Sequence, residues 1–187
     1  MKSTRPVSYP FKAIAVFTVA LVLQSGHMVE HVAQLYQHAV LWWPIKESHG
    51  ILFFADLEWN HFIFNTTYFL LLAYFAVQAH IFHKRNGTNQ WARYAFLAGF
   101  YVQGYHVIEH ASRIGQHLQT GCSPCPGILA WTIDGIWLHF AFNSFTLALP
   151  AVSFFALGLH RQVLPSSRRA AQQNEAPSLE PLEQEAE

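Results

Sequence analysis

The chain has 187 residues and no formal net charge, with 11 basic and 11 acidic side chains. Charged residues make up 12% of it, about half the usual share for a soluble protein. That balance excludes a basic nucleic-acid surface and argues against a charge-rich soluble domain. Aromatic residues reach 16%, and 12 His outnumber the 11 Lys and Arg together. The mean hydropathy of +0.16 is diluted by a polar tail over 162–187.

In chain order, a basic start (Lys2, Arg5, Lys12) leads into an apolar segment over 11–38. Three more follow, over 50–82, 92–118 and 127–160. A helix rises ~1.5 Å per residue, so each is long enough to cross a bilayer core of ~30 Å. Their polar residues are concentrated, which predicts a bundle with a polar interior. Lys84, Arg85 and Arg93 lie between the second and third segments, and Arg161, Arg168 and Arg169 follow the fourth. The other two connections hold little basic charge. The positive-inside rule then places both termini in the cytoplasm of a multi-pass plasma-membrane protein. The first segment resembles a secretory signal in its basic flank, but its polar end is matched by the third segment, which cannot be a signal. Residues 161–187 read as a disordered cytoplasmic tail.

The sequence repeats itself. At an offset of 79, "QSGHMVEHVAQLYQH" (24–38) overlies "QGYHVIEHASRIGQH" (103–117). At an offset of 78, "DLEWNHFIFN" (56–65) overlies "DGIWLHFAFN" (134–143). The identities fall on polar residues, whereas unrelated spans resemble each other through Leu and Phe. The expected fold is an all-α integral membrane protein. Its domain, 1–160, is a four-transmembrane-helix bundle made by tandem, parallel duplication of a two-helix hairpin, with repeats at 11–82 and 92–160.

His27, Glu30 and His31 fall at helical spacing on one face, within an arc of about 140° that includes Gln24, Gln34, Gln37 and His38. His106, Glu109, His110, Gln103 and His117 repeat it, with Arg113 replacing Gln34. On the second segment His61, Asn65 and Glu58 share a face; His139 and Asn143 repeat that face, but Ile136 replaces Glu58. Depth matching in each hairpin brings His27, Glu30, His31 and His61 together, and likewise His106, Glu109, His110 and His139. An ionised carboxylate in such a place needs a cation. Imidazole with carboxylate suits transition metals. The expected cofactors are therefore two ions of Fe, Zn or Cu, one per repeat, bridged by Glu30 and Glu109. Haem between facing His is the alternative.

Glu58 is the candidate catalytic base. Gln24, Gln103, Asn65 and Asn143 are candidates for orienting the ligating rings. Asp56, Asp134, His38 and His117 are further candidates for that role or for extra ligands, and a helix start is another use for the two Asp. Cys122 and Cys125, in "GCSPCPG", are a candidate disulfide. Carboxylate-rich di-iron bundles use a comparable chemistry, as an analogy only. His-x-x-Glu-His also matches an inverted zinc-protease pattern, but twin copies at membrane depth speak against a soluble-type protease. The functions that fit are a membrane metal-dependent oxidoreductase acting on a hydrophobic small molecule or quinone, a membrane zinc hydrolase, a b-type cytochrome, and a metal transporter or sensor. A scaffold whose polar arcs merely join helices is the bland option. Partners are the lipid bilayer and, for a transport pathway, a second copy in a homo-oligomer; no nucleic acid is expected.

Elemental analysis of detergent-purified protein checks the two-site reading: the wild type should hold about two transition-metal equivalents, and His27→Ala and His106→Ala should each lose at least one.

Overall fold

In the computed structural model, which describes residues 9–51, 57–86 and 89–163, the chain is all-helical, and no strand occurs among the described residues. The expected helix α1 runs Phe11–Ala39, followed by a short 3-10 turn at Ile45–Glu47. Helices α2 (Leu57–Asn86), α3 (Gln90–Thr120), α4 (Gly135–Ala156) and the short α5 (His160–Val163) complete it. The long helices form a ring: α1 and α3 each pack on both α2 and α4. The expected disordered tail, 161–187, begins instead within α5, which is helical through Val163; the rest of it, and Asp56, lie outside the described residues.

Two helix starts come later than the hydropathy pattern suggests. The second apolar segment was expected from 50 and the fourth from 127, yet α2 begins at Leu57 and α4 at Gly135. Gly50 and Gly127 both adopt left-handed backbone, with φ of 74° and 68°, which helices do not accommodate. Asp134 then caps α4: its Oδ1 accepts from the backbone N–H of Ile136 at 2.9 Å and of Trp137 at 3.3 Å, satisfying donors that a helix start leaves open. Asn89 caps α3 in the same way through the N–H of Trp91, and Gly121 ends that helix in left-handed conformation.

Three of the helices are long and apolar enough to cross a membrane: α1, α2 over Glu58–His83, and α4. Helix α3 is not, because its polar residues Gln103, His106, Glu109, His110 and Arg113 lower its hydropathy. All five are buried inside the bundle. The outer surface is apolar, with Val22, Leu70, Tyr101 and Phe145 each at least 59% exposed, as a lipid-facing surface requires.

The interior divides lengthwise. The end near the termini is an apolar core, where Phe17 stacks on Phe75 at 4.1 Å and meets Phe96 and Phe154 edge-on. Gly99 lets α3 approach the Pro150 turn of α4; an added Cβ would come within 2.6 Å of the proline ring. The opposite end, toward the 40–56 and 121–134 connections, holds the buried polar residues.

Those two connections differ in sequence but are pinned alike. Gln37 exchanges two hydrogen bonds with the backbone of Gly50, donating at 3.1 Å and accepting at 2.8 Å. Gln116 does the same with Gly127, at 2.8 Å each way. Glu30 accepts from Ile51 N–H at 2.9 Å, and Glu109 accepts from the N–H groups of Ile128 and Leu129 at 2.9 and 3.2 Å. A Cβ on either glycine would strike the carboxylate oxygen of its glutamate. Gly50→Ala and Gly127→Ala should each destabilise the protein by ~1–3 kcal/mol, from the left-handed backbone and the displaced carboxylate together; unfolding in detergent reads the loss.

Candidate metal centre

His27 and His31 are one turn apart on α1, and His61 faces them from α2. One ring nitrogen from each lies within 4.8 Å of the other two. His106 and His110 on α3 and His139 on α4 form the matching group under the same limit. No ring of the six is more than 8% exposed. The Nε2 atoms of His27 and His31 are 3.1 Å apart, and so are those of His106 and His110. Tetrahedral coordination at 2.0–2.1 Å sets ligand nitrogens ~3.3 Å apart, so each i, i+4 pair already has the spacing of two ligands on one ion. Each group could hold a metal ion.

The groups touch. The rings of His61 and His110 stack at 5.6 Å and 14°, and those of His31 and His139 at 6.0 Å and 24°. Behind them, His27 lies flat on Phe64 at 4.1 Å and His106 on Phe142 at 4.9 Å, which fixes ring planes by packing. His139 donates Nδ1–H to the Gly135 carbonyl at 2.7 Å, which turns its Nε2 lone pair inward. That Nε2 has no hydrogen-bond partner, nor do Nδ1 of His31, His106 and His110, and all four are buried. Hydrogen bonds within the protein leave the cluster unsatisfied.

The remaining site residues take particular places. Glu30 and Glu109 are in neither imidazole group; loop amides donate to Oε2 of Glu30 and to Oε1 of Glu109, and Glu109 Oε2 is buried without a hydrogen bond. Glu58, 2% exposed, accepts from Cys125 N–H at 2.6 Å. Gln24 donates to Asn143 Oδ1 at 2.8 Å and Gln103 to Asn65 Oδ1 at 3.0 Å. The two Asn in turn donate to the His61 and His139 carbonyls at 2.9 Å. These amides therefore hold the histidine backbones and tie α1 to α4 and α3 to α2, whereas the sequence suggested contacts with ring nitrogens. His38 bridges the Trp43 carbonyl and Asp134 Oδ2, at 2.9 and 3.0 Å, and His117 meets the Cys122 carbonyl at 2.7 Å. Both lie at the loop end, apart from the two groups. Cys122 and Cys125 form a disulfide.

A cavity of about 280 Å³ touches both the connections and the cluster. Its lining includes His31, His61, His110 and His139, with Glu58 and Arg113, and Lys46 and the 124–126 segment from the connections. Sequence reasoning noted Arg113 only as an exception in the repeat and missed Lys46 and Gly135.

Comparison of this chain with protein-family models, with curated proteins and with solved structures finds no match.

Asn65→Leu and Asn143→Leu remove one of the two acceptors of a buried glutamine amide, leaving Gln103 the Asn65 carbonyl and Gln24 the Thr146 hydroxyl. Each should lower stability in detergent by ~1 kcal/mol, with metal content retained, because the amides brace backbones and do not ligate.

Proposed function

We propose that this protein is a membrane metal-binding protein whose two imidazole triads hold a pair of adjacent ions, and that it works as a metal-dependent oxidoreductase. The carrying observation is the contact between two buried three-histidine groups, with rings stacked across the boundary and a cavity opening on both. A pair of redox ions supplies a two-electron oxidation of a small molecule, with dioxygen or a quinone as acceptor. Sets of neutral imidazole favour Cu or Zn over the hard ions that need carboxylate and water; of these two, Cu gives redox chemistry. The cavity volume is at the low end for small-molecule sites, so the substrate is small, and Ile45, Pro124, Pro126, Ala130 and Ile136 give it a largely apolar lining. Glu58 is proposed to accept a proton from a molecule in the cavity, a role supported by its place in the lining together with His61.

The haem alternative is disfavoured by the same contacts: the facing rings are stacked on one another and leave no slot for a macrocycle. A zinc hydrolase is the second reading, supported by Glu58 beside the triads as a base for metal-bound water.

The four long helices are proposed to cross the membrane together. Helix α3 is supported in this by its burial between α2 and α4, with its polar face inward. The duplication of a hairpin is supported by paired contacts: the two His–His spacings, the two Gln–Gly clamps, the two Glu–amide bonds and the two Gln–Asn links. A plasma-membrane location with cytoplasmic termini is supported by the basic flanks and by the disulfide at the opposite end, since disulfides persist in oxidising compartments.

Copper loading tests this reading. Protein loaded with two equivalents of Cu(II) should give a dipole-broadened electron paramagnetic resonance spectrum with a half-field transition, because the ions are adjacent, and His139→Ala should restore an isolated-ion signal. An isolated-ion spectrum from the fully loaded wild type, or no tight binding of copper or zinc, would overturn the paired centre. Reduced, loaded protein should consume dioxygen with a hydroquinone donor, which a zinc hydrolase would not do.

A further inference from the structure

The two halves of the site are not equivalent at the cavity. Where α1 has Gln34, α3 has Arg113. Its guanidinium is 7% exposed, lines the cavity wall, and has Nε without a hydrogen-bond partner. Gly135 makes the room: an added Cβ there would lie 3.3 Å from an Arg113 terminal nitrogen. At the corresponding position of the first half, offset by 78, stands Leu57. The arginine and the glycine that admits it are thus both particular to the second half.

Burying a guanidinium is costly unless something compensates it. Arg113 lies in the field of Glu58 and Glu109, which offset its charge in part while also accepting from loop amides. It lines the same cavity as His110 and His139. Charge counting sharpens this. Six neutral imidazoles cancel none of the charge on two divalent ions. Four positive charges from two divalent ions and one from Arg113 would face three buried carboxylates among the described residues, Glu30, Glu58 and Glu109, an excess of two. Lys46 adds a further positive group to the lining. An enclosed excess of this kind attracts an anion, and a guanidinium offers the fixed donor fork that matches planar oxyanions.

We infer that the cavity binds a small anion, or the anionic head of a small substrate, between Arg113 and the metal ions. This rests on the paired-metal reading and names what approaches it. The ligand enters from the loop end, past Lys46 and the 124–126 segment, and its charge is read by Arg113. The ligand class is a carboxylate or a comparable small anion that fits about 280 Å³.

The test uses full-length, Cu(II)-loaded protein titrated with azide, with formate as competitor, and carbon monoxide on the Cu(I) form as a neutral probe. Arg113→Gln restores the residue of the first half, and should weaken azide and formate at least tenfold. Arg113→Lys should weaken them less, and carbon monoxide binding should stay within threefold. Gly135→Ala, which crowds the guanidinium without removing it, should weaken azide several-fold and stands in if Arg113→Gln does not load copper. Equal azide affinity in wild type and these variants, or a parallel loss of carbon monoxide, overturns the anion site while leaving the metal pair intact. Failure of the wild type to load metal overturns both.

Discussion

Six imidazoles in mutual contact inside an apolar bundle impose the constraint that shapes the rest. Polar groups taken out of water need partners, and each buried atom left without one costs ~1–3 kcal/mol. Here four ring nitrogens have none. A partly satisfied polar network is worse than a hydrophobic core of the same shape, so adhesion between helices does not account for the cluster. Leu and Phe would do that better, and do so at the other end of the same bundle, around Phe17 and Phe75. The Nε2 atoms of His27 and His31, and of His106 and His110, stand at the spacing a cation requires, and the unpartnered Nε2 of His139 belongs to the second group, so the cluster could serve as a ligand set.

The carboxylates show how that set is held. His61 and His139 are each the fifth residue of their helix, so the chain just before those helices determines where they point. In both halves this chain passes through a left-handed glycine, a glutamine that bonds it in both directions, and a glutamate that takes the next N–H. Glu30 and Glu109 lie one residue before His31 and His110 on α1 and α3. The same turn of helix that carries two of the histidines thus anchors the connection that positions the third.

Much of this was legible in the sequence, and the boundary is instructive. Helical spacing and depth matching brought His27, His31 and His61 together, and His106, His110 and His139, because a rigid helix turns sequence interval into position. Carboxylate roles were less legible. Helical periodicity places Glu30 on the polar arc but does not reveal that a loop amide comes back to meet it. The signal was present in "GIL" at 50–52 and again at 127–129, an offset of 77 that the comparison at 78 and 79 passed over. Helix starts were misjudged for the same reason: apolar residues on either side of the glycines extend the hydropathy pattern across a turn. Gly135 was invisible because its use depends on a guanidinium from another helix.

The differences between the halves carry as much meaning as their likeness. On the duplication reading, a repeated hairpin gives two equal metal positions, and equal positions alone give a substrate no reason to approach from one side. Glu58 from the first half reaches across to the disulfide loop of the second, Arg113 from the second occupies the place of Gln34, and Ile136 leaves no acid opposite Glu58. All three departures border one cavity. One carboxylate and one guanidinium, contributed by different halves, make the cavity unlike on its two sides although the two histidine groups beside it are alike. On the proposed reading, the likeness would serve two ions that need the same three nitrogens, and the difference would serve a ligand that is bound one way round.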